Sequence, residues 1–96
     1  MLENPTYRQH VEAELADIYP EHIDKILFMD GFDIALIGHV VIDGRPVMAY
    51  SYTLILESLV IDQEMTCEDA LDHFGYNIQG AYVGEYTPVI VYDGTF

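Results

Sequence analysis

Residues 35–50, with the sequence ALIGHVVIDGRPVMAY, decide the fold of this chain. Two apolar runs flank Asp43-Gly44, and such a turn is typical of a β-hairpin because both of its central positions adopt positive φ. The first run, Ala35 to Ile42, is rich in the β-branched residues that strands favour. Pro46 begins the returning run, Val47 to Tyr50, where a missing N–H is tolerated. The stretch therefore predicts an antiparallel hairpin.

Helical patterns precede this hairpin. Asn4 and Pro5 suit the cap and the first turn of a helix over residues 6–18, whose apolar side chains recur at helical spacing. Pro20 ends that helix, because a proline disfavours helical geometry in the residue before it. The same proline opens a second short helix, which we expect to end at Asp30-Gly31.

Two more helices and a strand follow the hairpin. Ser51 is expected to cap a helix that runs to about residue 63, and Thr66 to cap a fourth helix. Residues 89–92 form the last strand, which we expect to pair beside the first strand. The order α-α-β-β-α-α-β predicts one two-layer α+β domain over residues 1–96, with helices packed on a small three-stranded, mostly antiparallel sheet.

The charge of the chain is strongly one-sided. It has 17 acidic and 3 basic residues (Arg8, Lys25 and Arg45), which gives a net charge of −14. Such a field repels nucleic acids and anionic lipids and attracts basic surfaces. We therefore expect a basic protein or a nucleic-acid-binding complex as partner, with no direct binding of nucleic acid and no membrane binding. Solubility alone also explains such acidity, and the sequence leaves both interpretations open.

The expected compartment is the cytoplasm. The first residues lack the basic and apolar segments of a secretory signal, and no apolar run approaches the roughly 18 residues of a membrane span. Cys67 is the one cysteine of the chain, so it has no partner for an internal disulfide.

Motifs for catalysis or cofactor binding are absent from the sequence. Asp69 and His73, four residues apart on a helix, are oriented to share a metal ion, but two ligands do not make a site. A solvated helix face is the better interpretation of that pair. The other histidines, at positions 10, 22 and 39, are isolated in the sequence, and no phosphate-binding loop is present. We expect no enzyme, no cofactor and no metal.

Acidic residues and tyrosines are the candidate contact residues. Glu64, Glu68 and Asp72 step by four positions, which on a helix separates carboxylates by about 6 Å and approaches the spacing of phosphates along a nucleic acid. Tyrosine is enriched at protein interfaces, and we expect at least one of Tyr82 and Tyr86 to be exposed. The predicted protein-binding residues are Glu64, Glu68, Asp69, Asp72, Tyr82 and Tyr86.

Several runs of the sequence form a recognisable series: GFDIALIG (31–38), Val47 to Tyr52, MTCEDA (65–70), Phe74, Tyr76-Asn77-Ile78, Gly80-Ala81, Val83-Gly84-Glu85 and Thr87-Pro88. In this order they resemble a family of small acidic proteins from tailed bacteriophages, which are described only as hypothetical. The resemblance spans roughly residues 19–92 and carries no catalytic residues. The chain departs from it at Tyr52-Thr53-Leu54, where relatives are more charged.

The resemblance implies a phage-encoded accessory protein. Together with the charge, it favours a non-enzymatic protein in the host cytoplasm that binds and modulates or inhibits a basic host protein of nucleic-acid processing or defence. Nucleic-acid mimicry is one form of such binding. The alternative is a structural or assembly protein, acting as a homo-oligomer such as a homodimer or as a minor virion component.

Overall fold

The computed structural model describes residues 7–78 and 84–94, and within these ranges it confirms the predicted α+β class. Three helices are formed: α1 (Tyr7–Ile18), α2 (Tyr52–Asp62) and α3 (Cys67–His73). The strands are β1 (Leu36–Ile42), β2 (Arg45–Ser51) and β3 (Val89–Val91). A 3-10 turn, Asp33–Ala35, precedes β1, and a π-helical turn, Phe74–Ile78, continues α3.

β1 and β2 form the predicted antiparallel hairpin. Asp43 and Gly44 have φ values of 49° and 79°, and Ile42 pairs with Arg45 across this turn. Pro46 lies inside β2 opposite Val41, at a level where β3 does not reach, because β3 pairs only with residues 49–51. The hairpin was predictable because its signal is local: a turn that requires positive φ between two apolar runs.

The position of β3 corrects the expected strand order. The sheet has the order β1-β2-β3, and β3 runs parallel to β2, with Ala49 opposite Val89 and Ser51 opposite Val91. The last strand thus pairs beside the second strand and not the first, and the sheet is mixed: the longer pairing, β1 with β2, is antiparallel, and the shorter pairing, β2 with β3, is parallel. The reason is the connection: α2 and α3 lie between β2 and β3, and a helical crossover returns the chain in its original direction.

The predicted second helix is not formed. Residues 20–25 make separate hydrogen-bonded turns, in which the His22 N–H donates to the Tyr19 carbonyl (3.0 Å) and the Ile26 N–H to the His22 carbonyl (3.1 Å). Helical spacing of apolar residues is a weak indication that tertiary packing can override. Here the apolar side chains of the segment pack into the core from an irregular backbone, without a regular helix. The predicted cap of the first helix, Asn4-Pro5, lies outside the described residues.

β2 is the centre of the core. Its residues from Pro46 to Ser51 are buried on both faces of the sheet, and Tyr50 and Met48 pack in one cluster with Leu15 and with the inner faces of α2 and α3. The Tyr50 hydroxyl accepts a hydrogen bond of 2.8 Å from the Met29 N–H, and burial raises the pKa of that hydroxyl. We call residues 19–32, between α1 and the 3-10 turn, the irregular segment; this bond ties it to the sheet.

Arg8 attaches α1 to the irregular segment. Its guanidinium carbon lies 4.5 Å from the centre of the Phe28 ring, within cation–π range. The same guanidinium is 3.3 Å from Glu12, 3.4 Å from Asp30 and 3.7 Å from Asp33. One cation therefore lies close to three carboxylates in the first third of the chain and lowers the repulsion among them.

A hydrogen-bonded junction joins the end of β3 to the start of α2. Ser51 caps α2 as predicted: its hydroxyl oxygen accepts from the Leu54 N–H at 3.1 Å and donates to the Asp93 carboxylate at 2.6 Å. The Thr53 N–H donates to the other Asp93 oxygen at 3.0 Å, and the Thr53 hydroxyl donates to the Asp93 carbonyl. Gly94 follows with φ 80°, and a Cβ there would collide with the Thr53 side chain. We call these contacts the Ser51–Asp93 junction.

The junction makes stability depend on pH. The hydrogen bond from Ser51, followed by that from the Thr53 N–H, holds the pKa of the Asp93 carboxyl below its ordinary value. A carboxyl whose folded-state pKa is lowered stabilises the fold above its unfolded pKa of about 3.9, and this contribution is lost as the pH falls through the folded-state pKa. We expect Asp93→Asn to lower the melting temperature at neutral pH, with a difference from wild type that shrinks below about pH 4.

The matched control is Asp43→Asn, which removes the same charge at the exposed hairpin tip. Its melting temperature, followed by circular dichroism from neutral to acidic pH, should show no such convergence. A constant difference between Asp93→Asn and wild type across that range would contradict the role of the ionised Asp93.

Candidate protein-binding surface

The second half of the chain carries acidic residues without any basic neighbour in the sequence. Arg45 is its last lysine or arginine. Six carboxylates between positions 57 and 72 are all exposed, and we call them the acidic surface of α2 and α3: Glu57, Asp62, Glu64, Glu68, Asp69 and Asp72. The four acidic residues predicted as contact residues all belong to this surface. Whether they contact a partner is not tested by their exposure.

The predicted helical row of three carboxylates is not formed. α2 ends at Asp62 and α3 begins at Cys67, so Glu64 lies in the linker between two helices. Glu68 and Asp72 share α3 at a separation of four residues, which places them about 6 Å apart along the helix axis. An evenly spaced, phosphate-like row from Glu64 to Asp72 is therefore wrong, because the helix stops and restarts inside it.

Glu64 adopts a backbone conformation that glycine usually occupies. Its φ is 55°, in the left-handed region, and it follows the C-terminal end of α2, where glycine is the common residue. A side chain in this conformation costs about 1–2 kcal/mol. The next residue, Met65, donates its N–H to the Leu59 carbonyl at 3.2 Å and closes the end of the helix. A glutamate thus stands where backbone energetics favour glycine.

The start of α3 is capped as predicted. The Thr66 hydroxyl accepts from the Asp69 N–H at 3.1 Å. Glu68 and Asp69 lie in the first turn, where the positive end of the helix dipole stabilises their negative charge. His73 lies in the last turn, and its Nδ1 is 3.3 Å from the Asn77 amide. Among residues 7–78 and 84–94, no group of three His, Cys, Asp or Glu side chains is arranged to hold a metal ion.

Tyr86 belongs to a cluster that the sequence did not indicate. Its hydroxyl is 2.6 Å from the His22 Nδ1, and the side chain is half-buried against the core. Tyr19 packs edge-on against both His22 and His39, with its hydroxyl 3.2 Å from the His39 Nε2. We call these four residues the tyrosine–histidine cluster. It joins the turn after α1, the strand β1 and the segment before β3.

Of the two tyrosines predicted as contact residues, the structure describes only Tyr86, which is half-buried. The Tyr86 hydroxyl is hydrogen-bonded to His22 within the fold, and Tyr82 lies outside the described residues. The sequence missed the cluster because His22 and Tyr86 are 64 positions apart and each stands among unremarkable neighbours. No spacing rule connects residues that distant.

β1 exposes apolar side chains along most of its length. Leu36 is buried, whereas Ile37, Val40, Val41 and Ile42 are 45%, 38%, 53% and 39% exposed. Between Asp33 and Asp43 the sequence has no charged residue. β1 is also an edge strand, since the sheet order places β2 on one side of it and, in the described part of the chain, no strand on the other.

A shallow pocket lies between the segment at residues 30–32 and the helices. Its volume is about 240 Å³, below the range of roughly 300–1,000 Å³ that is usual for small-molecule sites. Asp30, Ser58, Gln63 and His73 supply polar atoms, and Phe32, Leu59 and Met65 supply apolar ones. The Ser58 hydroxyl donates to Asp62 and the His73 Nδ1 lies against the Asn77 amide, and we assign the pocket no chemistry.

Comparisons with protein-family models, curated proteins and solved structures find no match for this chain. The resemblance to small phage proteins therefore stays a prediction. In the described ranges no helix has the length and apolar character needed to cross a membrane.

The tyrosine–histidine cluster predicts a specific loss of stability. We expect Tyr86→Phe to lower the free energy of unfolding by about 0.5–1.5 kcal/mol, because it removes the hydroxyl bonded to His22 and keeps the ring. Tyr76→Phe is the matched control, since that side chain is 89% exposed and its change should be nearly neutral. Urea denaturation measures both variants. Equal stability of the two would mean that the short Tyr86–His22 contact contributes nothing.

Proposed function

We propose that this protein is a non-enzymatic binding module that engages a basic protein through the acidic surface of α2 and α3. The observation that carries the proposal is the set of six exposed carboxylates between residues 57 and 72, in a half of the chain without lysine or arginine. Such a surface attracts cationic partners and raises their rate of association.

The distribution of charge favours binding over solubility alone. Around Arg8 the fold offsets its own carboxylates, with three of them within 3.7 Å of one guanidinium. Nothing comparable is available to the acidic surface, because every basic residue lies in the first 45 positions. Solubility needs acidic residues somewhere on the surface, but it does not require that α2, α3 and the linker between them carry six acidic residues and no lysine or arginine.

Glu64 gives a second, independent argument. Strained backbone conformations cluster at functional sites, so the strain at Glu64 supports a functional hypothesis for this residue. Glycine at position 64 would relieve the left-handed conformation, yet the chain carries a carboxylate there. We infer that this carboxylate contributes to contact with the partner.

The partner class follows from chemistry and from the resemblance together. Proteins that process nucleic acids carry basic grooves, which an acidic surface complements. A phage origin would place the partner among the nucleic-acid-processing or defence proteins of the host and the complex in the host cytoplasm. Because the carboxylates do not form a regular phosphate-like row, we propose competition for a basic surface rather than close imitation of a duplex.

Neutralising the acidic surface tests this proposal. The probe is a panel of purified DNA-binding proteins, each loaded with a fluorescent duplex that the protein should displace. We expect the variant Glu64→Gln, Glu68→Gln, Asp69→Asn and Asp72→Asn to displace the duplex at least about tenfold more weakly than wild type. Displacement by wild type should also weaken between about 50 mM and about 300 mM salt, because screening shortens the reach of the charges.

A control variant removes the same number of charges elsewhere. It carries Glu14→Gln, Asp17→Asn, Glu21→Gln and Asp24→Asn, all at exposed positions on α1 or in the turns that follow. We expect it to remain close to wild type in the same assay. An equal loss in both variants would mean that net charge alone is responsible, and would contradict a defined acidic surface.

Position 64 separates stability from binding. We expect Glu64→Gly to raise the free energy of unfolding by about 0.5–1 kcal/mol, because relief of the left-handed strain exceeds the added entropy of the unfolded chain. The same substitution should weaken duplex displacement. Glu64→Gln is the matched control: it should weaken displacement equally without the gain in stability. A stabilised Glu64→Gly that displaces the duplex as well as wild type would remove the functional argument from Glu64.

A further inference from the structure

We propose that β1 receives an extended segment of the partner as an added strand of the sheet, and that this segment has an apolar centre with basic residues at both ends. The inference rests on the proposed function only in the sign of the partner's charge. The strand pairing concerns a different part of the molecule from the acidic surface of α2 and α3.

The outer edge of β1 offers backbone hydrogen bonds. β1 spans Leu36–Ile42 and pairs with β2 along one side only, within the part of the chain that the structure describes. A register shift between Leu36 and Gly38 interrupts the pairing, after which residues 39–42 continue opposite Met48 to Arg45 without a break. Because alternate N–H and C=O groups of an edge strand point away from its neighbour, this regular stretch is a template for another strand.

Residues 39–42 of β1 lack the features by which edge strands usually avoid pairing. Natural sheets protect their edges with lysines, prolines, inward charges, β-bulges or very short strands, and the one irregularity of β1 lies before this stretch, between Leu36 and Gly38. β1 has seven residues and carries no proline and no charged side chain. Ile37, Val40, Val41 and Ile42 are instead exposed to between 38% and 53%. The strand therefore combines open hydrogen-bonding groups with apolar side chains on both of its faces.

Charge decides what kind of strand fits. Asp43 follows the uncharged stretch at the exposed hairpin tip, and Asp33, which precedes it, belongs to a group of three carboxylates around the single cation Arg8, so that the sum of these charges stays negative. The chain as a whole carries a net charge of −14, so a second copy arriving at this edge would be repelled at long range. A segment with apolar residues in the middle and lysine or arginine at its ends complements both the strand and its surroundings.

Amide hydrogen exchange with a defined peptide tests this inference. The probe is a short peptide of alternating valine and threonine with paired lysines at each end. In the free protein we expect the outward-facing amides among residues 36–42 to exchange quickly. Saturating peptide should slow them at least about tenfold, because exchange requires opening of the new hydrogen bonds, while amides of α3 keep their rates.

Two control peptides make the outcomes distinguishable. The first has the same side chains with N-methyl groups at alternate residues, which removes the hydrogen bonds needed for strand pairing; it should give no protection of β1. The second replaces the lysines with serines, and it should bind more weakly and with little dependence on salt. Equal binding of the N-methylated peptide, or no protection of β1 by any peptide, would overturn the strand pairing and leave the acidic surface unaffected.

The remaining outcomes are also decisive. If the serine peptide protects β1 as strongly as the lysine peptide, strand pairing stands and the basic character of the partner is wrong. If the β1 amides are already protected in the free protein, and this protection falls on dilution while sedimentation shows a dimer, a second copy occupies the edge and the proposed occupant is overturned.

Discussion

The chain changes from strand to helix at one buried residue, Ser51, and the arrangement of the other elements depends on this point. Ser51 is the last residue of β2, the cap of α2 and the neighbour of Val91 in the parallel pairing with β3. Its hydroxyl accepts from one backbone amide and donates to the Asp93 carboxylate, so that both capacities of the oxygen are used. Because β2 ends at Ser51 and α2 begins at Tyr52 with no loop between them, the start of the helix has little freedom of position. The bond from Ser51 to Asp93 holds the end of β3 beside this point.

The charge of the molecule is organised in two different ways. Around Arg8, carboxylates approach a shared cation and contribute to the packing of α1 on the irregular segment. Along α2 and α3, the carboxylates are exposed and have no lysine or arginine near them in the sequence. Under the proposed function, a cationic partner would supply the missing counter-charge and would stabilise the fold, as any ligand that binds only the folded state does.

The parts of the fold that follow from neighbouring residues could be predicted from the sequence. The Asp43-Gly44 turn and the caps Ser51 and Thr66 act over two or three positions, and the structure confirms all three. The neighbour of β3 could not be predicted, because it depends on how a crossover of two helices returns to the sheet. The second helix failed for another reason: apolar residues at helical spacing indicate burial, and here burial is reached through separate turns.

In the candidate surfaces, too, the features set by neighbouring residues could be predicted and those set by distant residues could not. Exposure of Glu68, Asp69 and Asp72 follows from their positions in a short amphipathic helix, whereas the left-handed backbone of Glu64 depends on where α2 ends. The role of Tyr86 was beyond the sequence, since its hydroxyl contacts a histidine 64 positions away. The edge position of β1 could not be predicted either, because the same apolar run fits a central strand or an edge strand. Only the order of strands in the sheet distinguishes the two.

The distance along the chain between the two halves of the Ser51–Asp93 junction has a consequence for biosynthesis. Asp93 is added 42 residues after Ser51. At roughly 5–20 residues per second, the ribosome needs about 2–8 s to reach it. During that time β2 has no β3 beside it, and the Ser51 hydroxyl has no Asp93 carboxylate to accept its hydrogen bond. Until β3 forms, residues 49–51 of β2 have no strand on that side, whereas in the finished sheet β3 pairs with them and the described edge strands are β1 and β3. The pairing of β3 with β2 and the contacts of Asp93 are therefore among the last that the growing chain can form.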